Sequence, residues 1–142
     1  MKLQIRRLDK TLPLPEYKTE GAAGIDLYVR EKTQIPARSI AVVPLNVSIK
    51  PPTEHFVLLA PRSSLHKRGL MFANSVGIMD EDYCGDDDEY RAILYNFTDS
   101  DVLVARGDRI AQAVILPREK VAIEEVESME SVSRGGIGST GI

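Results

Sequence analysis

The sequence predicts an all-β protein, a jelly-roll-like distorted β-barrel with a flexible glycine-rich C-terminal tail. Three observations point there. Short runs rich in Val, Ile, Leu and Tyr recur along the 142 residues, bounded by Gly, Pro, Asp or Asn. No stretch sustains the apolar i, i+3, i+4, i+7 spacing of a long amphipathic helix. Short strands at regular intervals, with turn residues between them, favour a sandwich or jelly roll.

The elements follow in order. Leu3 and Ile5 alternate with Gln4 and Arg6, the period of an opening strand. Further strands are predicted over 25–29, 40–49, 55–60, 71–78, 90–96, 102–105, 110–116 and 121–126. Only 63–68 invites a short helical turn, with Ser63 as its N-cap. After Glu127 the composition becomes small, polar and glycine-rich, with little to bury. The chain therefore divides into a β core over 1–127 and a C-terminal tail over 128–142.

One domain of this length closes a hydrophobic core without staples. The single cysteine, Cys84, excludes an internal disulfide framework and suits a reducing cytoplasm. The opening Met1-Lys2-Leu3-Gln4-Ile5 has no apolar signal region, and no apolar run approaches the roughly 20 residues of a membrane span. A net charge of −3 argues against generic nucleic-acid binding. A small polyanion would have to be held by locally placed cations, backbone N–H groups or a metal. His55 and His66 lack partner spacing for a structural zinc site.

Residues Gly77-Ile78-Met79-Asp80-Glu81-Asp82-Tyr83-Cys84-Gly85 place a carboxylate and an aromatic ring three positions apart in a glycine-bounded turn. That arrangement suits a pocket whose backbone reads a flat ligand, whose aspartate activates water and whose tyrosine packs against the ligand's body. By itself, Asp80 reads first as a turn aspartate satisfying its own backbone, and Tyr83 has the alternative reading of an ordinary half-buried strand residue. Asp26 lies between Ile25 and Leu27. In Pro61-Arg62-Ser63-Ser64-Leu65 a planar guanidinium and two hydroxyls suit an anion. In Arg106-Gly107-Asp108-Arg109-Ile110-Ala111-Gln112, Asp108 and Arg109 read as a turn, and Gln112 as a phosphate donor or an outward strand residue. The tail Arg134-Gly135-Gly136-Ile137-Gly138-Ser139-Thr140-Gly141 combines a cation, hydroxyls and flexible amides.

Taken in chain order, these five motifs resemble the trimeric dUTP diphosphatase (dUTPase) family over nearly the whole chain. The resemblance implies a homotrimer that hydrolyses dUTP to dUMP and pyrophosphate with Mg2+. Asp80 is then the base directing water at the α-phosphorus, and Tyr83 lies against the deoxyribose. The backbone from Gly77 to Met79, with Asn74, faces the uracil. Arg62, Ser63, Ser64 and Gln112 face the phosphates, and Asp26 holds the magnesium through water. In the tail, Arg134, Gly138, Ser139 and Thr140 cover the phosphates and Ile137 lies over the base. Each site draws on three chains, one lending the hairpin around Tyr83 and another the tail.

The chain departs from the family pattern at Ser64, where glycine is commoner, and at Cys84, which replaces arginine or glutamine. The tail is two residues shorter between its arginine and its glycine-rich end, and Ile137 stands in place of an aromatic. The run Asp86-Asp87-Asp88-Glu89 adds about three residues and reads as a solvated acidic loop. Two alternatives share the scaffold: a dCTP deaminase or bifunctional relative, and a non-catalytic nucleotide-binding regulator. The deaminase needs a glutamate just upstream of Asn96, and Ala92-Ile93-Leu94-Tyr95 contains none.

Overall fold

Turn residues decide where each strand ends. The computed structural model describes residues 1–138 and 140–141. Its strands are β1 (Gln4–Arg7), β2 (Ile25–Tyr28), β3 (Thr33–Ile35), β4 (Ile40–Pro44), β5 (Val47–Lys50) and β6 (His55–Pro61). They continue with β7 (Leu70–Phe72), β8 (Gly77–Met79), β9 (Arg91–Asn96), β10 (Val102–Val104) and β11 (Arg109–Pro117). Hydrogen bonding links them into four separate sheets, ordered β1-β5, β10-β3, β2-β11-β6-β8 and β4-β9-β7. All pairings are antiparallel. The all-β class holds, but no continuous ladder closes the barrel.

The core lies between the sheets. Leu27, Val43, Val57, Leu59, Leu94 and Ala111 are among the side chains it buries almost completely. Each fully buried Leu or Val contributes roughly 1.5–3 kcal/mol relative to exposure. In the four-stranded sheet Leu27 lies opposite Ala111, and Ala113 opposite Leu59, so alternation turns Asp26, Gln112 and Ala60 to the other face.

Two predicted strands are each broken into two. The run 40–49 divides at Asn46, whose φ of 67° lies in the left-handed region an asparagine tolerates. Its side chain compensates by exchanging hydrogen bonds with the backbone of Asp9, at 2.7 and 3.0 Å. The run 71–78 divides at Ser75 (φ 64°), where Val76 N–H donates to Asn74 O at 2.7 Å in a three-residue turn. β3 escapes sequence reading because it is three residues long and mostly polar.

The strand predicted over 121–126 does not form, and Val121 and Ile123 are 77% and 96% exposed. β11 runs out of partner where β6 begins at His55, because Pro51 and Pro52 upstream have no N–H to donate. The helical turn is a 3₁₀ segment, Leu65–Arg68, capped by Ser64 rather than Ser63 and without a side-chain cap bond. It ends at Gly69, whose φ of 76° and position 2.2 Å from Thr98 Cγ2, measured from a built Cβ, leave no room for a side chain. No helix among the described residues is long and apolar enough to cross a membrane.

Candidate active site

Antiparallel register assembles the first half of the site. Asp26 in β2 lies opposite Gln112 in β11, which lies opposite Ala60 in β6. Asp26 is only 8% exposed, so its charge needs partners. Arg62 Nε lies 3.1 Å from one carboxylate oxygen and Arg109 Nη1 3.1 Å from the other. Arg62 Nη1 also donates to Arg109 O at 3.2 Å. Arg109, read from sequence as a turn residue, therefore shares the carboxylate with Arg62.

Gln112 donates to Pro61 O at 3.2 Å, and Gly24 leaves room for it. A Cβ at position 24 would stand 2.6 Å from Gln112 Oε1. Ser63 and Ser64 are exposed immediately after Arg62, at the start of the 3₁₀ turn.

The donor set around Asp26 bears on magnesium. Arg109 donates a hydrogen bond to one oxygen and Arg62 forms an ion pair with the other, which leaves at least about half of the carboxylate's roughly four acceptor sites. Among the described residues no cluster of three or more His, Cys, Asp or Glu could hold a metal directly. Asp26 thus fits acceptance of hydrogen bonds from metal-bound water rather than direct ligation.

The second half of the site is the hairpin after β7. β8 pairs only with β6, with Met79 opposite Val57 and Gly77 opposite Leu59. Among the described residues no strand pairs with its other edge, so its backbone donors and acceptors are available to a flat ligand. A Cβ on Gly77 would meet Leu59 Cβ at 3.2 Å. Met79 packs against the core, and Asn74 is exposed in the turn, donating to Val76 O at 3.0 Å.

Asp80 follows β8 directly. It is exposed on a cavity of about 670 Å³ that also receives Lys50, Cys84, Arg118 and Lys120. Tyr83 N–H donates to Asp80 O at 3.1 Å, closing the turn that separates the carboxylate from the ring.

Sequence reading missed the groups that anchor this turn. Glu81 accepts Arg118 Nε at 3.0 Å and Glu54 N–H at 3.2 Å, and Arg118 Nη2 approaches the same oxygen. The Arg118 hydrogen bonds hold the Glu81 carboxyl below its ordinary value. Nothing in the sequence pairs residues 81 and 118, because β6 brings them together.

The acidic run is not wholly a solvated loop. Gly85 N–H donates to Asp88 Oδ2 at 2.7 Å and Ser48 Oγ to Gly85 O at 2.6 Å, so the run folds as a tight turn. Its last member, Glu89, is 3% exposed and is gripped by Arg30 through Nε at 2.8 Å and Nη2 at 2.9 Å. A bidentate guanidinium makes that burial tolerable.

The two halves do not meet within one chain. The order β2-β11-β6-β8 places Asp26 on one edge strand and Asp80 beyond the other, roughly 20 Å apart from three strand spacings across the sheet and about four residues along it. The described residues of the tail are hydrogen-bonded to neither half. Arg134, Ile137, Gly138 and Thr140 are exposed, and no hydrogen bond or ion pair among the described residues joins 130–141 to the core. Gly138 (φ 84°) accepts from Gly141 N–H at 3.0 Å. Ser139 lies outside the described residues.

An arginine-held carboxylate thus lies at one edge of the four-stranded sheet, and an exposed carboxylate and ring lie at the other. The dUTPase family model matches residues 10–141. A deoxyuridine 5'-triphosphate nucleotidohydrolase of Dictyoglomus turgidum is 38% identical, covering 100% of this chain and 99% of that protein. The crystal structure of a dUTPase from Streptococcus mutans has a TM-score of 0.77 at 34% identity, covering 86% of this chain and 99% of that one. The dUTPase of Staphylococcus bacteriophage 80alpha with dUPNHPP has a TM-score of 0.86 at 25% identity, covering 99% of both chains. The chain belongs to the dUTPase family.

Proposed function

We propose that this chain is a dUTP diphosphatase that hydrolyses dUTP to dUMP and pyrophosphate. The observation that carries the reading is Asp80, exposed at the end of an open-edged strand and three residues before Tyr83, in a chain of this family. Asp80 orients a water and accepts its proton as the oxygen attacks the α-phosphorus. The bond from that phosphorus to the bridging oxygen breaks, and pyrophosphate leaves. The open edge of β8 from Gly77 to Met79, with Asn74, pairs with the uracil edge. Tyr83 lies against the deoxyribose, where a 2′-hydroxyl would clash.

Arg62, Ser63, Ser64 and Gln112 form the phosphate side. Arg62 also orients Asp26, which would hold Mg2+ through its bound waters. When bound, that ion neutralises charge on the triphosphate and the departing pyrophosphate. The tail over 128–142 closes the site. Arg134, Gly138, Ser139 and Thr140 donate to phosphate oxygens, and Ile137 covers the base.

A homotrimer with shared sites reconciles these roles with the separation of Asp26 from Asp80. It is supported by an apolar strip on the outer face of the four-stranded sheet. Leu58 lies between Val114 and Ile78 there, with Ile78 59% exposed. Such a strip suits burial against a second copy. The single cysteine, with no second thiol to pair, suits a cytoplasmic setting.

The test is product analysis of dUTP, dCTP, dTTP and UTP incubated with the protein and Mg2+. Equimolar dUMP and pyrophosphate from dUTP, with oxygen from water in the dUMP phosphate, is the expected result. Ammonia release from dCTP would indicate a deaminase. Binding of dUTP without product would indicate a regulator.

A further inference from the structure

The acidic run lengthens the chain between Tyr83 and β9, and it delivers Tyr90 beneath Tyr83. The two rings lie 6.2 Å apart between centroids with planes 20° from parallel. Tyr83 is 39% exposed, whereas Tyr90 is fully buried. Tyr83 OH donates to Glu89 O at 3.4 Å, a long bond, so the ring contact is the stronger restraint.

Tyr90 itself is buried and held through its backbone on both sides. Its N–H donates to Val47 O at 2.8 Å, and its carbonyl accepts Leu45 N–H at 2.9 Å. The preceding residue is the buried Glu89, held by Arg30 on both oxygens and by Asn46 N–H at 3.0 Å. The Tyr90 hydroxyl has no hydrogen-bond partner among the described residues, so the ring rather than the hydroxyl is what this position supplies.

We propose that Tyr90, fixed by the Arg30–Glu89 pair, is a positioning residue that sets sugar specificity by holding the plane of the Tyr83 ring. The proposal rests on the reading of Tyr83 as the wall against the deoxyribose. A ring free to tilt would admit a 2′-hydroxyl. A ring backed by an immobile aromatic would not, because excluding one hydroxyl by contact requires the wall to stay in place.

The experiment compares kcat/KM for dUTP and UTP in the full-length protein and in Tyr90→Leu, Tyr90→Phe, Glu89→Gln and Tyr83→Ala. Tyr90→Leu is expected to lower the dUTP-to-UTP ratio about tenfold, with kcat for dUTP falling less than the ratio. Tyr90→Phe should keep the ratio, and Glu89→Gln should lower it several-fold. If Tyr83→Ala lowers the ratio and Tyr90→Leu leaves it unchanged, the brace is overturned and the role of Tyr83 stands. If Tyr83→Ala also leaves it unchanged, the reading of Tyr83 fails. Should Tyr90→Leu not fold, Glu89→Gln decides, and an unchanged ratio there overturns the proposal.

Discussion

Arg62 Nε and Asp26 Oδ1 stand 3.1 Å apart, so the cation proposed to face the phosphates is also a partner that holds the Asp26 carboxylate in place. Arg62→Gln leaves the mostly buried Asp26 with Arg109 alone. Because Arg62 is about one-third exposed, the expected loss is modest, about 1–2 kcal/mol by urea unfolding. Removing the orienting partner should cost about 10–100-fold in kcat/KM and raise the Mg2+ concentration needed for half-maximal activity. An unchanged magnesium requirement would separate Arg62 from Asp26 functionally.

Gly24→Ala should act through Gln112. The new Cβ stands 2.6 Å from Gln112 Oε1 and 3.2 Å from its Cβ, so the side chain must move. KM for dUTP should rise several-fold, with an overpacking cost of about 1–3 kcal/mol. In the Gln112→Ala background the same substitution should have little further effect, and a double-mutant cycle measures that coupling. Additive effects would place Gly24 in some other role.

The sequence carried the fold class and the motifs because both are local. Alternation over short runs marks strands, and Asp80 and Tyr83 share one turn. The breaks at Asn46 and Ser75 were not legible, because each depends on a side-chain or turn hydrogen bond formed only in the folded chain. Glu89 looked solvated because nothing local announces Arg30, 59 residues away. The apolar alternation at 121–126 resembles a strand, but pairing also requires a partner edge in line with β11, and upstream of His55 the two prolines at 51 and 52 do not supply one.

The Glu81–Arg118 contact predicts a dependence on pH. Hydrogen bonding to Arg118 lowers the Glu81 carboxyl from its ordinary value of 4.5. The contact's contribution is therefore fully present above that value. It is lost as pH falls through the lower folded value. Arg118→Gln should lower Tm at neutral pH, and its difference from wild type should shrink below about pH 4.5. A difference that stays constant from neutral to acid would mean that the pair does not anchor the Asp80 turn.

Deleting residues 131–142 should leave Tm within a degree or two, since no hydrogen bond or ion pair joins 130–141 to the core among the described residues. Turnover of dUTP should nearly vanish. Full activity in the truncated protein would remove the tail from the site, and loss of the oligomer on sizing would make it structural.

The most direct test of a shared hydrolytic site mixes two variants, each impaired in one half. Asp80→Asn should lower kcat by about 10²–10⁴-fold with dUTP affinity largely kept, as loss of a general base does. Gln112→Ala should impair the phosphate half. The two proteins are unfolded together in equal amounts, refolded as mixed oligomers, and assayed for pyrophosphate released from dUTP. With Asp80 and Gln112 contributed by different chains, about a quarter of the sites draw both intact halves, and turnover should recover to about that share of wild type. Turnover no higher than the mean of the two separate variants would contradict a site shared between chains.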